Sequence, residues 1–206
     1  MQLLLATHNK NKIKELRYLF KNFDIDIFSA EDFNLSEPEE NGKTFEENAL
    51  IKAKSAALES GTLCVADDSG FEVEAIGGQP SIYSARWAVG GDYSVAFETI
   101  KKLLESANEK LQQSGKSINN KAKFISVLCL YNPFDHSHKF FRGEIEGEVV
   151  FPPRGNNGFA YDTIFVPNGH DKTFAELSFE EKNSIAHRYI ALQKLKTYFK
   201  ENNIGQ

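Results

Sequence analysis

Cysteine is scarce: the chain has only Cys64 and Cys129. Each sits inside an apolar run, Leu63-Cys64-Val65 and Leu128-Cys129-Leu130, and so reads as a buried small hydrophobe in a reducing compartment. That excludes a disulfide-stapled scaffold and gives no support to a catalytic thiol. Positive charge is also short, with 24 Lys+Arg against 29 Asp+Glu and a net charge of −5. A nucleic-acid coat needs a basic surface to release counterions, so none is expected as a partner. A phosphorylated small molecule is still allowed, because a divalent cation can reconcile acidic side chains with an anionic substrate. Long hydrophobic runs are missing too. Leu3-Leu4-Leu5-Ala6 is interrupted at once by Thr7-His8-Asn9-Lys10, too short for a signal peptide or a membrane span. A cytoplasmic protein with no membrane partner is expected. No Gly-x4-Gly-Lys-Ser/Thr occurs, which argues against an ordinary P-loop enzyme, and no Ser/His/Asp or Cys/His arrangement is evident.

What is present suits one substantial domain or two lobes. The chain has 206 residues, 41% hydrophobic, with 17 Phe to fill a core. Gln2–Ala6 reads as a buried strand, followed by a helix with Ile13, Leu16, Leu19 and Phe20 at helical spacing. Asp24–Phe28 alternates as a second strand. Thr44-Phe-Glu-Glu47 is a capping-box pattern opening a second helix, which Gly61 ends. Thr62–Ala66 is a third strand delivering Asp67-Asp68-Ser69-Gly70 at its end. This βαβαβ order predicts an α/β architecture whose ligands gather beyond the carboxyl ends of the strands. Thr7–Lys12 and Asp67–Gly70 should therefore meet at one rim. A helix near Ser94–Leu104 follows, then long strands over Phe124–Tyr131 and Lys139–Val150, and a closing helix opened by the capping box Ser178-x-x-Glu181. The expected fold is two-lobed α/β, a central mixed twisted sheet flanked by helices with an active cleft between the lobes. The whole of 1–206 forms one domain whose second lobe covers roughly 114–152.

Two acidic clusters carry chemical interest, Glu39-Glu40 and Asp67-Asp68. An Asp pair at a strand end can hold Mg²⁺ while one member accepts a proton from water; the same four residues Asp-Asp-Ser-Gly also read as a plain turn. Lys52 and Asn48 lie four apart on the second helix and suit either a phosphate contact or a solvated polar face. Thr7-His-Asn-Lys-Asn-Lys12 is a strand-to-helix junction rich in donors, an anion site or a simple helix cap. Gly155-Asn-Asn-Gly-Phe-Ala-Tyr-Asp162 combines flexible backbone, aromatic faces and a carboxylate, a set suited to stacking a base or to a glycine-rich hairpin with a core Phe. Lys182, His187 and Arg188 bring donors near the last helix, while His136-Ser-His138 reads as an exposed turn.

Together these segments resemble the Ham1-like family of inosine/xanthosine triphosphate pyrophosphatases. Five separated motifs stand in family order: Ala6-Thr-x-Asn-x-x-Lys12, Thr44-Phe-x-Glu-Asn-Ala49 with Lys52, Ala66-Asp-Asp-Ser-Gly70 leading to Tyr83-Ser-Ala-Arg86, Gly158-Phe-x-Tyr-Asp162, and Glu181-Lys182 with His187-Arg188. The resemblance implies Thr7, Asn9 and Lys12 as triphosphate contacts. It implies Glu40, Asp67 and Asp68 around Mg²⁺, Asp68 also as general base, and Lys52 and Ser69 beside the phosphates. Phe159, with Ala160 and Tyr161 in its motif, would hold the purine, and Asp162, Lys182, His187 and Arg188 would favour a 6-oxo purine over adenine. The implied reaction cleaves ITP, dITP or XTP between the α- and β-phosphates and releases pyrophosphate, in a homodimer. His8, Ala160, Thr163 and Ala186 depart from the family's common Gly or Ser, Gly, Pro and Ser. The rival readings are a Maf-like nucleotide pyrophosphatase, whose serine- and arginine-rich opening is absent, and a silent purine-nucleotide sensor, which would need no metal-site carboxylates.

Overall fold

The computed structural model describes residues 1–21 and 24–204. It is an α/β fold. Strand β1 (Gln2–Leu5) leads to helix α1 (Lys10–Phe20), then β2 (Asp26–Ser29), α2 (Phe45–Ser60) and β3 (Cys64–Val73). After β4 (Gln79–Ser81) and α3 (Ser94–Gln113) come β5 (Lys121–Tyr131), β6 (His138–Val149) and β7 (Phe165–Pro167), with α4 (Phe179–Ile185) and α5 (His187–Glu201) closing the chain. The strands form one sheet in the order β2-β1-β3-β5-β6-β7, with β4 added on β3. It is mixed: β1 runs parallel to β2 and β3, whereas β3–β4 and β6–β7 are antiparallel. No helix among the described residues is long and apolar enough to cross a membrane.

Local chemistry accounts for most element ends. Thr44 caps α2 by accepting from the Glu47 N–H at 3.1 Å, while Glu47 Oε2 reaches back to the Lys43 N–H rather than to that of Thr44. Gly61 ends the helix at φ 66°, left-handed backbone that glycine adopts without a Cβ penalty. The Ser178–Glu181 capping box forms with both hydrogen bonds, 3.1 and 2.7 Å.

Two expectations are corrected. Asp67-Asp68-Ser69-Gly70 is not a turn; β3 runs straight through it to Val73. Asp, Ser and Gly favour turns locally, but Phe71–Val73 pair with Gln79–Ser81 of β4, and the ladder outweighs the local preference. The rim geometry survives, because Leu5, the last residue of β1, registers with Val65. Asp67 and Asp68 therefore project past the carboxyl end of β1. The single closing helix is in fact two, parted at Ala186, which is extended at φ −65° and ψ 159°. Ala186 is buried in one apolar cluster, with Phe71 and Tyr161, whereas Ala191, Leu192, Leu195 and Phe199 of α5 belong to another, with Leu3, Leu16 and Leu128.

These clusters are the cores of two compact units. The first comprises Met1–Ser69, Ser126–Gly143 and His187–Gln206, and the second Gly70–Ile125 and Glu144–Ala186. Residues 114–152 fall partly in each. The second core is aromatic: Phe71 stacks on Tyr161 at 5.0 Å and meets Phe124 and Phe165 at 4.9 and 5.8 Å. Cys64 and Cys129 are buried free thiols whose ionisation burial suppresses, Cys129 being pushed up to about 12.

Thr163 lies in a short 3₁₀ turn, Ala160–Ile164, with its hydroxyl buried and without a hydrogen-bond partner. Replacing an unsatisfied hydroxyl by a methyl of the same shape removes a desolvation penalty. Thr163→Val is therefore expected to stabilise the protein by about 1 kcal/mol, raising Tm by about 2–4 °C for a chain of this size. A calorimetric scan showing a lower Tm would contradict that account of Thr163.

Candidate functional site

In the first unit the opening loop is built from its own side chains. Thr7 Oγ1 accepts from the Asn9 N–H at 3.2 Å. Asn9 then caps α1, its Oδ1 accepting from the N–H groups of Asn11 and Lys12 at 3.0 and 3.2 Å. The first turn of α1 holds no carboxylate, so the positive end of the helix dipole is left uncompensated by acid. His8 turns its ring to the Leu35 carbonyl, 2.9 Å away. Lys12 reaches Asp67 at 2.9 Å, joining the two segments expected to meet.

Around this junction, acids and cations alternate. Lys52 Nζ lies 2.8 Å from Glu40 Oε1 and 2.7 Å from Asp68 Oδ1. Asp68 Oδ2 is buried and has no hydrogen-bond partner. Asp67 is surrounded by donors: Ser126 Oγ at 2.6 Å on Oδ1, and Lys12 Nζ at 2.9 Å, Ser69 Oγ at 3.1 Å and Arg188 Nε at 3.2 Å on Oδ2. Arg188 also donates to Glu15 at 2.6 Å and to Ser69 at 2.8 Å. Asn48 and Lys52 are 0% and 5% exposed, which overturns the solvated-face reading of α2. Asn48 Oδ1 accepts from the Gly42 N–H at 2.9 Å, and a Cβ on Gly42 would come within 2.5 Å of that oxygen. This clamp fixes the loop that carries Glu40.

The electrostatics follow from burial and neighbours. Burial works against ionising Asp67, yet Lys12 and Arg188, helped by the Ser126 hydrogen bond, hold its carboxyl well below the usual carboxylate range. Burial raises Asp68, and Lys52 and Lys12 offset this only in part. Burial lowers Lys12, with Lys52 and Arg188 adding to the effect against the pull of Asp67. Lys52 goes the other way, because Asp68 and Glu40 outweigh its desolvation.

The second unit holds a separate cluster. Gly155 and Gly158 have φ of 87° and 78°. A Cβ on Gly158 would come within 2.3 Å of Asp162 Oδ2, so the loop needs glycine there for conformation and for room. Asp162 Oδ2 accepts from the Phe159 N–H at 2.8 Å and from Lys182 Nζ at 2.6 Å. Lys182 also lies 4.9 Å from the centre of the half-buried Phe159 ring. Ala160, in the place of a common glycine, has φ 53°, a conformation that strains an L-residue. Tyr161 is a core residue, donating its hydroxyl to the Ser84 carbonyl at 2.7 Å. Lys182 and Asp162 thus stand together, Arg188 stands with Asp67 and Glu15, and His187 is buried in the first unit.

Sequence reasoning missed Glu15 and Ser126. Their signals were a carboxylate one turn beyond Lys12 and a lone hydroxyl in the apolar run Phe124-Ile125-Ser126-Val127-Leu128. For Asp67 the pH dependence has a definite sign. Its folded pKa lies below the unfolded value of about 3.9, so its contribution is fully present above that value and is lost as pH falls towards the folded one. Asp67→Asn should cost about 3 kcal/mol near neutral pH, as for breaking a buried ion pair. The gap to wild type should narrow below about pH 4, by at most about 1.4 kcal/mol per pH unit. Urea unfolding from pH 6 to pH 3 measures it; a gap widening on acidification would refute the assignment.

Against known proteins, the model of the Ham1 family matches residues 3–198. The chain is 47% identical over 183 residues to the dITP/XTP pyrophosphatase of Rhizobium meliloti, covering 88% of this chain and 84% of that protein. It is 45% identical over 185 residues to the dITP/XTP pyrophosphatase of Agrobacterium fabrum, covering 90% and 86%. Among solved structures, a HAM1 protein from Coxiella burnetii superposes with a TM-score of 0.79 at 36% identity, covering 98% of this chain and 99% of that one. The Staphylococcus aureus Ham1 protein gives 0.78 at 34%, covering 98% and 100%. With its motifs in order, its fold matched from end to end and nearly half its residues shared with such relatives, this chain belongs to the Ham1 family.

Proposed function

We propose that this protein is a nucleoside triphosphate pyrophosphatase, hydrolysing the deaminated purine nucleotides ITP, dITP and XTP to the monophosphate and pyrophosphate. The observation that carries the reading is Asp68: a buried carboxylate of raised proton affinity, fixed on one oxygen by Lys52 and unpartnered on the other. A structural ion pair would satisfy both oxygens. A general base keeps one for water.

The chemistry follows from what surrounds it. The triphosphate lies against the N-terminus of α1, where the Asn9-capped turn and Lys12 supply donors and positive charge. Asp68 takes a proton from the water that attacks the α-phosphorus, and Lys52 and Lys12 balance the charge that builds on the phosphate oxygens. Glu40 and Asp68 would hold a Mg²⁺ ion: Glu40 Oε1 and Asp68 Oδ1 already converge on one cation, Lys52 Nζ, and Asp68 Oδ2 stays open for water. Among the described residues no three acid, imidazole or thiol side chains converge on a metal position, so the expected set of Glu40, Asp67 and Asp68 is not assembled as one cage. Mg²⁺ needs only one or two carboxylates when substrate phosphates complete its shell. Bound there, the ion would neutralise phosphate charge. Asp67 is saturated by its four donors and serves to hold Lys12 and Arg188 rather than to ligate.

For the base, Phe159 offers a face. Asp162 accepts from the N1–H of a 6-oxo purine, and Lys182 donates to its oxo group. Adenine reverses both groups, setting an acceptor against Asp162 and a donor against Lys182. Exposed Tyr83, Val89 and Val95 of the second unit offer apolar surface for a homodimer, which sedimentation would test.

Pyrophosphate release from ITP, XTP, dITP and ATP, with Mg²⁺ and with EDTA, tests the reading. Metal-dependent release from the first three, with ATP at least about tenfold slower (a difference of about 1.4 kcal/mol), is expected. Release of orthophosphate alone would mean the cleavage site is wrong. Asp68→Asn should keep nucleotide binding and lose at least about a hundredfold in kcat; near-normal turnover would remove Asp68 from the mechanism.

A further inference from the structure

Ser126 is fully buried near the middle of β5, a hydroxyl in an otherwise apolar run. An unpaired hydroxyl there would be a liability. It is paired, donating to Asp67 Oδ1 at 2.6 Å, a short charge-assisted bond of the strong kind. The opposite oxygen of the same carboxylate holds Lys12 and Arg188. A carboxylate rotates about its Cβ–Cγ bond, and one oxygen held by Ser126 fixes where the other points. Nothing else contacts Oδ1 among the hydrogen bonds of this cluster.

We propose that Ser126 is a positioning residue for the phosphate-binding end of the site: through Asp67 it sets the direction of Lys12, without touching substrate. The proposal rests on the functional reading above. It differs from a packing role in what it predicts, since the effect of losing the hydroxyl should fall on the phosphate end alone.

The experiment compares wild type with Ser126→Ala and Ser126→Cys, the latter keeping the volume and a weaker donor. Calorimetry with inorganic pyrophosphate and Mg²⁺, then with inosine, which carries no phosphate, gives the two ends of the substrate separately. In Ser126→Ala the pyrophosphate Kd should weaken about tenfold, about 1.4 kcal/mol, with inosine affinity within about twofold of wild type. The KM for ITP should rise in step, and Ser126→Cys should fall between the two at temperatures well below each variant's Tm. If both variants are folded and bind pyrophosphate as wild type does, or if both ligands weaken equally, the positioning role is wrong while the function stands. If Ser126→Ala fails to fold, the cysteine variant alone decides by the same criterion. A wild-type protein that neither cleaves ITP nor binds pyrophosphate overturns the functional reading, and this inference with it.

Discussion

The first unit depends on one buried carboxylate. Asp67 draws together α1 through Lys12, β5 through Ser126 and α5 through Arg188, all within 3.2 Å. Taking such charges out of water is strongly unfavourable unless each is paired and hydrogen-bonded. Here one donor around Asp67 has further duties: Arg188 answers Glu15 and Ser69 as well. A cluster so interlocked cannot be loosened at one point without leaving a charge unpaired elsewhere. It fixes a positive helix end, two lysines and a reactive aspartate in a small volume, the preorganisation that phosphate chemistry requires.

Asp67 and Asp68, adjacent in the chain, show how environment divides labour. Side chains on successive strand residues point to opposite faces, so the pair meets different hydrogen-bond partners. Asp67 meets two cations and is held firmly ionised. Asp68 meets Lys52 on one oxygen and lies buried on the other, and its proton affinity rises. One residue type thereby takes on two different ionisation behaviours.

Much of this was legible in the sequence because it was local. The Asn9 cap, the Thr44 and Ser178 caps and the Gly61 stop are decided by residues within a turn of each other, and each formed. The α/β architecture followed from strand and helix alternation. What was not legible was decided by partners far away in the chain. Asp67-Asp68-Ser69-Gly70 looked like a turn because nothing local reveals that β4 will pair beside it. The break at Ala186 carries no glycine or proline, and its cause is the division of the segment between two cores. Glu15 and Ser126 each look idle until Arg188 and Asp67, 173 and 59 positions away, are placed beside them. Arg188, named beside Lys182 from the family resemblance, meets Asp67, Ser69 and Glu15.

Arg188 arrives late in synthesis. Glu15, Asp67 and Ser69 leave the ribosome long before the guanidinium that completes their pairing, and until α5 docks Asp67 has Lys12 but not Arg188. A chain released without α5 would carry most of its motifs and lack the one side chain that ties Asp67, Ser69 and Glu15 together.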